Sequence, residues 1–283
     1  MKKTAMMIVA MALVMAIPII TLAQDNNQPT PNDTSTTAET SFWKNNFSVT
    51  ASLKIWRATN SFKTVGGDDV DTTSNMYGPS VNVAMFDKWY TGLSYYWGDG
   101  FDYTIESTNE STGQDFEVDV DGKKTDLDIW VGYRFHPRAS AFLGYKSSRF
   151  KQDGKTELND ITAEFSAEIN YYGPVVGVNG NYPIKDSGFI LFGTFGYAFL
   201  DGESKVELKA SNTITGESEK ASGDETDKYR GPAIEFGVSY IFRNIPKLSL
   251  TGGYKYQSYE NVDNSDVDPW TFSGLTLGAN YRL

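Results

Sequence analysis

From Phe42 to Leu283 apolar and polar side chains alternate with a period of two, in ten separate segments, and this rhythm constrains the fold more than any other feature. A period of two is that of a β-strand, whose successive side chains point to opposite faces. The last segment is the cleanest: Leu275, Leu277, Ala279, Tyr281 and Leu283 alternate with Thr276, Gly278, Asn280 and Arg282. The first sets Val49, Ala51, Leu53 and Ile55 against Ser48, Thr50, Ser52 and Lys54. Between them the alternation predicts strands over 77–86, 89–103, 124–135, 139–150, 171–183, 187–200, 229–242 and 247–259. Tight turns (87–88, 136–138, 185–186, 244–246) take turns with long polar excursions (59–76, 104–123, 151–170, 201–228, 260–268). Ten antiparallel neighbours with all short connections at one end describe an up-and-down barrel closing through its first and last strands.

The polarity of the two faces decides which solvent that barrel meets. A soluble barrel keeps its apolar face inside; a membrane barrel turns it to lipid and fills the lumen with small and polar groups. Gly 26 and 14% aromatic residues suit lumen packing and interfacial girdles, and a mean hydropathy of −0.40 agrees with polar excursions and a polar lumen. The chain has no cysteine, which excludes disulfides, thiolate metal sites and a lipidated cysteine. A formal net charge of −11 argues against nucleic acid as a partner. Lys2 and Lys3 precede an apolar run from Ala5 to Leu22, so residues 1–23 read as a cleaved signal peptide. Residues 24–41 form a polar, disordered periplasmic lead-in, and 42–283 the barrel.

Tyr281 standing two residues before a hydrophobic C-terminal Leu283 resembles the terminal assembly signal of the bacterial outer-membrane β-barrel superfamily, in which Phe is commoner at the last position. With the alternation of 42–283, the resemblance implies an all-β transmembrane antiparallel barrel in the outer membrane, most simply of ten strands, with eight or twelve as alternatives. It also implies short periplasmic turns, long extracellular loops, outer-membrane lipid as surroundings, and insertion by the barrel-assembly machinery after escort by periplasmic chaperones. Leu275, Leu277, Tyr281, Val49, Ala51 and Leu53 are expected to face lipid. Tyr77-Gly78-Pro79, Tyr172-Gly173-Pro174 and Tyr229-Arg230-Gly231-Pro232 each open a returning strand, and their tyrosines are expected at the membrane interface. The alternation of 116–120 and 161–169 predicts strands continuing into extracellular hairpins, with bulges near Gly122 and Gly173.

Several constellations could carry function. A three-residue turn at 136–138 would set Phe135 opposite Ala139 and so fix the register, with Trp130 opposite Gly144 and Asp128 opposite Lys146 on the lumen side. The turn at 244–246 would set Glu235 opposite Lys255. These charges, with bulky Trp56, Trp130 and Phe142, describe a salt-bridged plug; the same charges with Lys54 could line a narrow ion path. Glu117, Asp119 and Asp121, followed by Gly122 and with Asp128 twelfth in line, are candidates for loose divalent binding, although no helices flank them. The long excursions are net acidic, a rim suited to solubility or to a cationic or protein ligand. The resemblance extends to omptin proteases and lipid-modifying barrels, but the single histidine, His136, falls in a predicted periplasmic turn rather than near the outer leaflet. The leading expectation is therefore a structural or surface-interaction protein without cofactor, the next a narrow ion or small-solute channel, and an outer-membrane enzyme comes third.

Overall fold

The structure, a computed structural model, describes residues 47–63, 69–109, 114–158, 161–185, 187–212, 214–215, 217–264 and 269–283. The expected signal peptide (1–23), lead-in (24–41) and residues 42–46 lie outside the described residues. The strands are β1 (Phe47–Lys63), β2 (Asp69–Met85), β3 (Trp89–Asp99), β4 (Tyr103–Asn109), β5 (Gln114–His136), β6 (Ala139–Leu158), β7 (Ile161–Pro183), β8 (Phe189–Asn212), β9 (Ser218–Ile241), β10 (Leu248–Asn261) and β11 (Trp270–Arg282). All pairings are antiparallel. β1 pairs with β11 from Thr50↔Arg282 to Ser61↔Thr271, while β3 and β4 both pair with β5, which closes the sheet. β3 and β4 are two halves of one barrel strand, so the barrel has ten strands, neither eight nor twelve.

The break between those halves corrects the single strand expected over 89–103. Asp99 lies opposite Lys123 and Tyr103 opposite Val120, so Gly100, Phe101 and Asp102 share the space of Asp121 and Gly122. The extra residue is a bulge. Gly100 takes φ +85°, a conformation that side chains disfavour. A Cβ on Gly122 would stand 2.5 Å from the Phe101 carbonyl oxygen, so the two backbones can approach only at glycine. The Phe101 N–H donates to the Gly122 carbonyl at 3.1 Å, and the Gly122 N–H donates to Asp102 Oδ1 at 3.3 Å. The irregularity expected near Gly122 thus sits on the partner strand, and no register shift accompanies Gly173. The bulge reverses the inward parity, from Tyr96 to Phe101, and buries Phe101 completely.

The face polarity is that of a membrane barrel. Leu53, Val81, Leu143, Phe195, Leu275 and Leu277 stand exposed on the outside, whereas Ser80, Ser94, Lys146, Gln257 and Thr276 are buried inside. Such a belt is stable only against hydrocarbon. Tyr281 is exposed on the same face, and Val49 and Ala51 are half-buried there.

At the end away from the tight turns, the long excursions are largely strand. β5 and β7 have 23 residues, and β8 and β9 have 24, where spanning needs about 9–11. β10 and β11 are much shorter, at 14 and 13 residues. Beyond the belt the outward positions become charged, at Asp99, Lys123, Arg149, Asp201, Arg230 and Glu260. The inward positions turn apolar: Phe165 pairs with Leu208, Ala167 with Val206 and Ala163 with Ala210 on one face of the sheet.

Two local expectations change. His136 pairs directly with Ala139, leaving a two-residue turn, and a bulge at Phe135 restores Arg134↔Ser140 and everything above it. Phe135 is therefore not opposite Ala139. The Tyr-Gly-Pro tyrosines also divide. Tyr77 is exposed on the outer face, and Tyr172, half-buried there, donates to Glu203 Oε1 at 2.7 Å. Tyr229 instead turns inward against Tyr171, ring centroids 4.7 Å apart. Arg230, inserted between the tyrosine and Gly231, shifts parity by one and sends the ring to the other face.

Candidate functional site in the barrel lumen

Three layers fill the barrel. Farthest from the turn end is an aromatic cap. Phe101 meets Phe150 and Phe272 at centroid distances of 5.9 and 6.1 Å, and Trp270 packs edge-on to Phe150 at 5.1 Å. Tyr171 lies 5.8 Å from Trp270, whose indole Nε1–H donates to Asn60 Oδ1 at 2.6 Å. Phe101, Phe150 and Phe272 are at most 3% exposed, so the lumen is closed to water at this level.

Beneath the cap lies a charged layer built by strand alternation. Lys124, Asp126 and Asp128 occupy successive inward positions on β5, facing Lys146 and Ser148 on β6. Lys124 forms an ion pair with Asp126 and donates to Ser148 Oγ at 2.7 Å, and Ser148 Oγ donates to Asp126 Oδ1 at 2.5 Å. Lys146 lies 3.1 Å from Asp128 Oδ1 and 3.4 Å from Asp126 Oδ2. Among the described residues, Asp126 Oδ2 accepts no hydrogen bond beside that longer contact. Lys124, Asp126 and Lys146 are 1%, 0% and 2% exposed. Each ion is stable there only because its partners are present, and losing one partner costs far more than an exposed pair contributes.

On β9 and β10, Glu235 and Lys255 are opposite in register but do not form an ion pair. Glu235 accepts from Lys54 of β1 at 2.7 Å, reaching past β10 and β11. Lys255 instead lies 4.5 Å from the ring centroids of both Trp56 and Tyr96. Two aromatic faces attract the ammonium, and the barrel's curvature brings Lys54 to the carboxylate. Below this layer, toward the turn end, a cavity of about 490 Å³ is lined by Lys54, Asp128, Lys146, Glu235 and Lys255 and by Ser52, Tyr90, Asn179, Thr194, Ser239 and Asn280.

Sequence reasoning missed Lys124, Asp126, Phe101, Phe150 and Phe272. The first two were accessible from the same alternation that marks Asp128. Phe101 was not, since only the bulge turns it inward.

The remaining candidates lie outside the lumen. Glu117, Asp119 and Asp121 are exposed at alternate positions of β5, so successive members are about 7 Å apart along the strand. Asp119 accepts from Thr104 Oγ1 at 2.9 Å and lies opposite Lys155. Among the described residues no three Asp, Glu or His side chains converge on a metal position. An extended strand separates the oxygens that a calcium loop would gather. Nearby, burial opposes ionisation of Asp153, but hydrogen bonds from Lys151 and Ser166 outweigh it and hold its carboxyl below the ordinary range. At the turn end, Tyr281 pairs with Ala51 and Leu248, and the Leu283 N–H donates to the Val49 carbonyl at 2.9 Å. His136 Nδ1 accepts from the Arg138 N–H at 3.1 Å within its turn.

Comparison with known proteins agrees with this architecture. The model of the outer membrane protein beta-barrel domain matches residues 111–282. The outer membrane protease OmpT from Escherichia coli is similar at 15% identity and a TM-score of 0.50, over 83% of this chain and 97% of that one. The toluene transporter TodX of Pseudomonas putida aligns at 11% identity and a TM-score of 0.39, over 84% of this chain and 89% of its own. Ail, the attachment invasion locus protein of Yersinia pestis, aligns at 15% and 0.34, over 83% and 99%. No curated protein matches in sequence. Likeness at such identity shows the fold alone, and a fold by itself selects no activity.

Proposed function

Because the chain belongs to the outer membrane protein beta-barrel domain family and resides in the bacterial outer membrane, we propose that it is a non-catalytic surface-interaction protein whose working part is the sheet projecting from β4 to β9. The observation that carries this reading is the length of β5 to β9, about twice what spanning requires, spent on an ordered sheet with a charged outer face. Its acids exceed its bases, by six to one over 104–123 and by eight to four over 201–228. The partner is a basic protein segment, attracted by a net-acidic rim. His136, the only histidine, sits at the periplasmic end, far along the strand from this surface. Insertion is proposed to run through the barrel-assembly machinery, with Tyr281 and Leu283 as the segment it reads.

The test uses the intact protein in nanodiscs and a lysine-rich peptide as probe. Salt-sensitive binding that weakens when Asp201, Glu203, Glu207 and Asp224 are neutralised supports the reading. Absence of binding at low salt, or binding indifferent to those changes, overturns it. A second reading, a narrow channel, draws support from the open cavity that reaches up to the charged layer. Bilayer recordings separate the two: a capped lumen passes no current, whereas steady conductance that changes ion selectivity with Asp128→Asn favours the channel.

A further inference from the structure

Three of the four inward lysines near the charged layer have carboxylate partners, and the fourth does not. Lys54 is engaged by Glu235, Lys124 by Asp126, and Lys146 by Asp126 and Asp128. Lys255 is 8% exposed and, among the described residues, has no carboxylate oxygen within ion-pair distance; the Trp56 and Tyr96 rings face its ammonium. The next inward positions on the same strand are also incomplete. Among the described residues, Gln257 Oε1 and the buried Tyr259 hydroxyl have no hydrogen-bond partner, and the two residues are 2% and 3% exposed. Lys255, Gln257 and Tyr259 all line the cavity of about 490 Å³. A cation without an ion-paired carboxylate thus stands in a row with an acceptor and a hydroxyl that lack the hydrogen bonds buried polar groups ordinarily have.

We propose that this cavity binds a small organic carboxylate bearing a hydroxyl group, entering from the periplasm, with its carboxylate on Lys255 and its hydroxyl donating to Gln257 Oε1. The charges suit an anion: Lys54, Lys146 and Lys255 line the cavity against Asp128 and Glu235, and both acids are already engaged by lysines. Tyr96, Trp130, Phe142 and Phe192 supply flat apolar walls for a ring or short chain. The volume lies within the usual range for small-molecule sites, about 300–1,000 Å³. Inward positions 255 and 257 are about 7 Å apart along the strand, a span that a para-substituted hydroxybenzoate bridges. Entry is periplasmic because the aromatic cap closes the lumen above, while Ser52, Asn179, Ser239 and Asn280 carry the polar lining down toward the turns.

The probe is 4-hydroxybenzoate, titrated calorimetrically into the full chain in nanodiscs, with 4-hydroxybenzamide as its neutral counterpart. The carboxylate is expected to bind and the amide to bind at least tenfold more weakly. Lys255→Met should weaken carboxylate binding at least tenfold, Lys255→Arg should retain most of it, and Gln257→Leu should weaken it several-fold. Ser52→Trp, at the lower wall, should block entry without touching the anchor, which keeps the test decisive should Lys255→Met fail to fold. No binding by the unaltered protein overturns the proposal. So does equal affinity for acid and amide, or affinity unchanged in Lys255→Met and Ser52→Trp. The outcome is independent of the surface reading, because the peptide probe and this cavity lie at opposite ends of the barrel.

Discussion

Inside the membrane and outside it, the same strands carry opposite polarity. On β8, Phe195 and Phe199 point outward into the belt while Thr194 lines the lumen; farther along, Glu203 and Glu207 lie on the outer face while Val206 and Leu208 lie on the inner one. No register shift intervenes between β7 and β8, where the pairing is continuous in phase from Pro183↔Ile190 to Ile161↔Asn212. The inversion is therefore written in side-chain choice alone. Lipid selects apolar groups outside the lower half, and water selects charged groups outside the upper half. The halves should accordingly fail in different ways.

The largest difference is expected from deletion. Removing Tyr281–Leu283 takes the last β1–β11 pairs from the closing seam and two exposed apolar side chains from the belt. Outer-membrane yield should collapse. Excising 203–226, the upper part of the β8–β9 hairpin, should leave insertion intact while reducing binding to the cationic probe. Normal yield after the terminal deletion would contradict the seam's role; lost insertion after the hairpin excision would join the two regions into one folding unit.

Next come the buried charges. Asp126→Asn leaves Lys124 and Lys146 short of compensation and should destabilise by about 3–5 kcal/mol, whereas Asp153→Asn on the projecting hairpin should change little. Unfolding from detergent micelles measures both. Adding Lys146→Met to Asp128→Asn should return part of the loss caused by either alone; zero coupling would mean that water screens the lumen pair.

A smaller contrast separates outward and inward leucines. Leu277→Arg puts a cation against hydrocarbon and should cost about 2–4 kcal/mol. Leu208→Arg, exposed above the membrane, should stay within about 0.5 kcal/mol. Similar losses at both sites would refute the inversion. The smallest effect concerns pH. Because partners hold the Asp153 carboxyl below its ordinary range, its contribution to the β6–β7 hairpin is present above about pH 4 and fades as pH falls through the depressed value. Hydrogen exchange of amides 151–168 should report that loss, and Asp153→Asn should abolish its pH dependence.

Periodicity in the sequence determined the strand number, the closing pair, the outward leucines and the pairing of Asp128 with Lys146. Each of these follows from which face a residue occupies and which turn joins its strand to the next. Local pairing could not reveal contacts across the lumen. Lys54 meets Glu235 only because a closed sheet curves two non-adjacent strands toward one another. Phe101, Phe150 and Phe272 come from three separate strand regions, and the first reaches the cap only because one extra residue at Gly100–Asp102 turns it inward. Lys255 left its neighbour Glu235 for two rings on other strands. Alternation assigns a side chain to a face, but closure and curvature decide which inward side chains touch, and so tertiary structure alone decided where the lumen is filled and where it stays open.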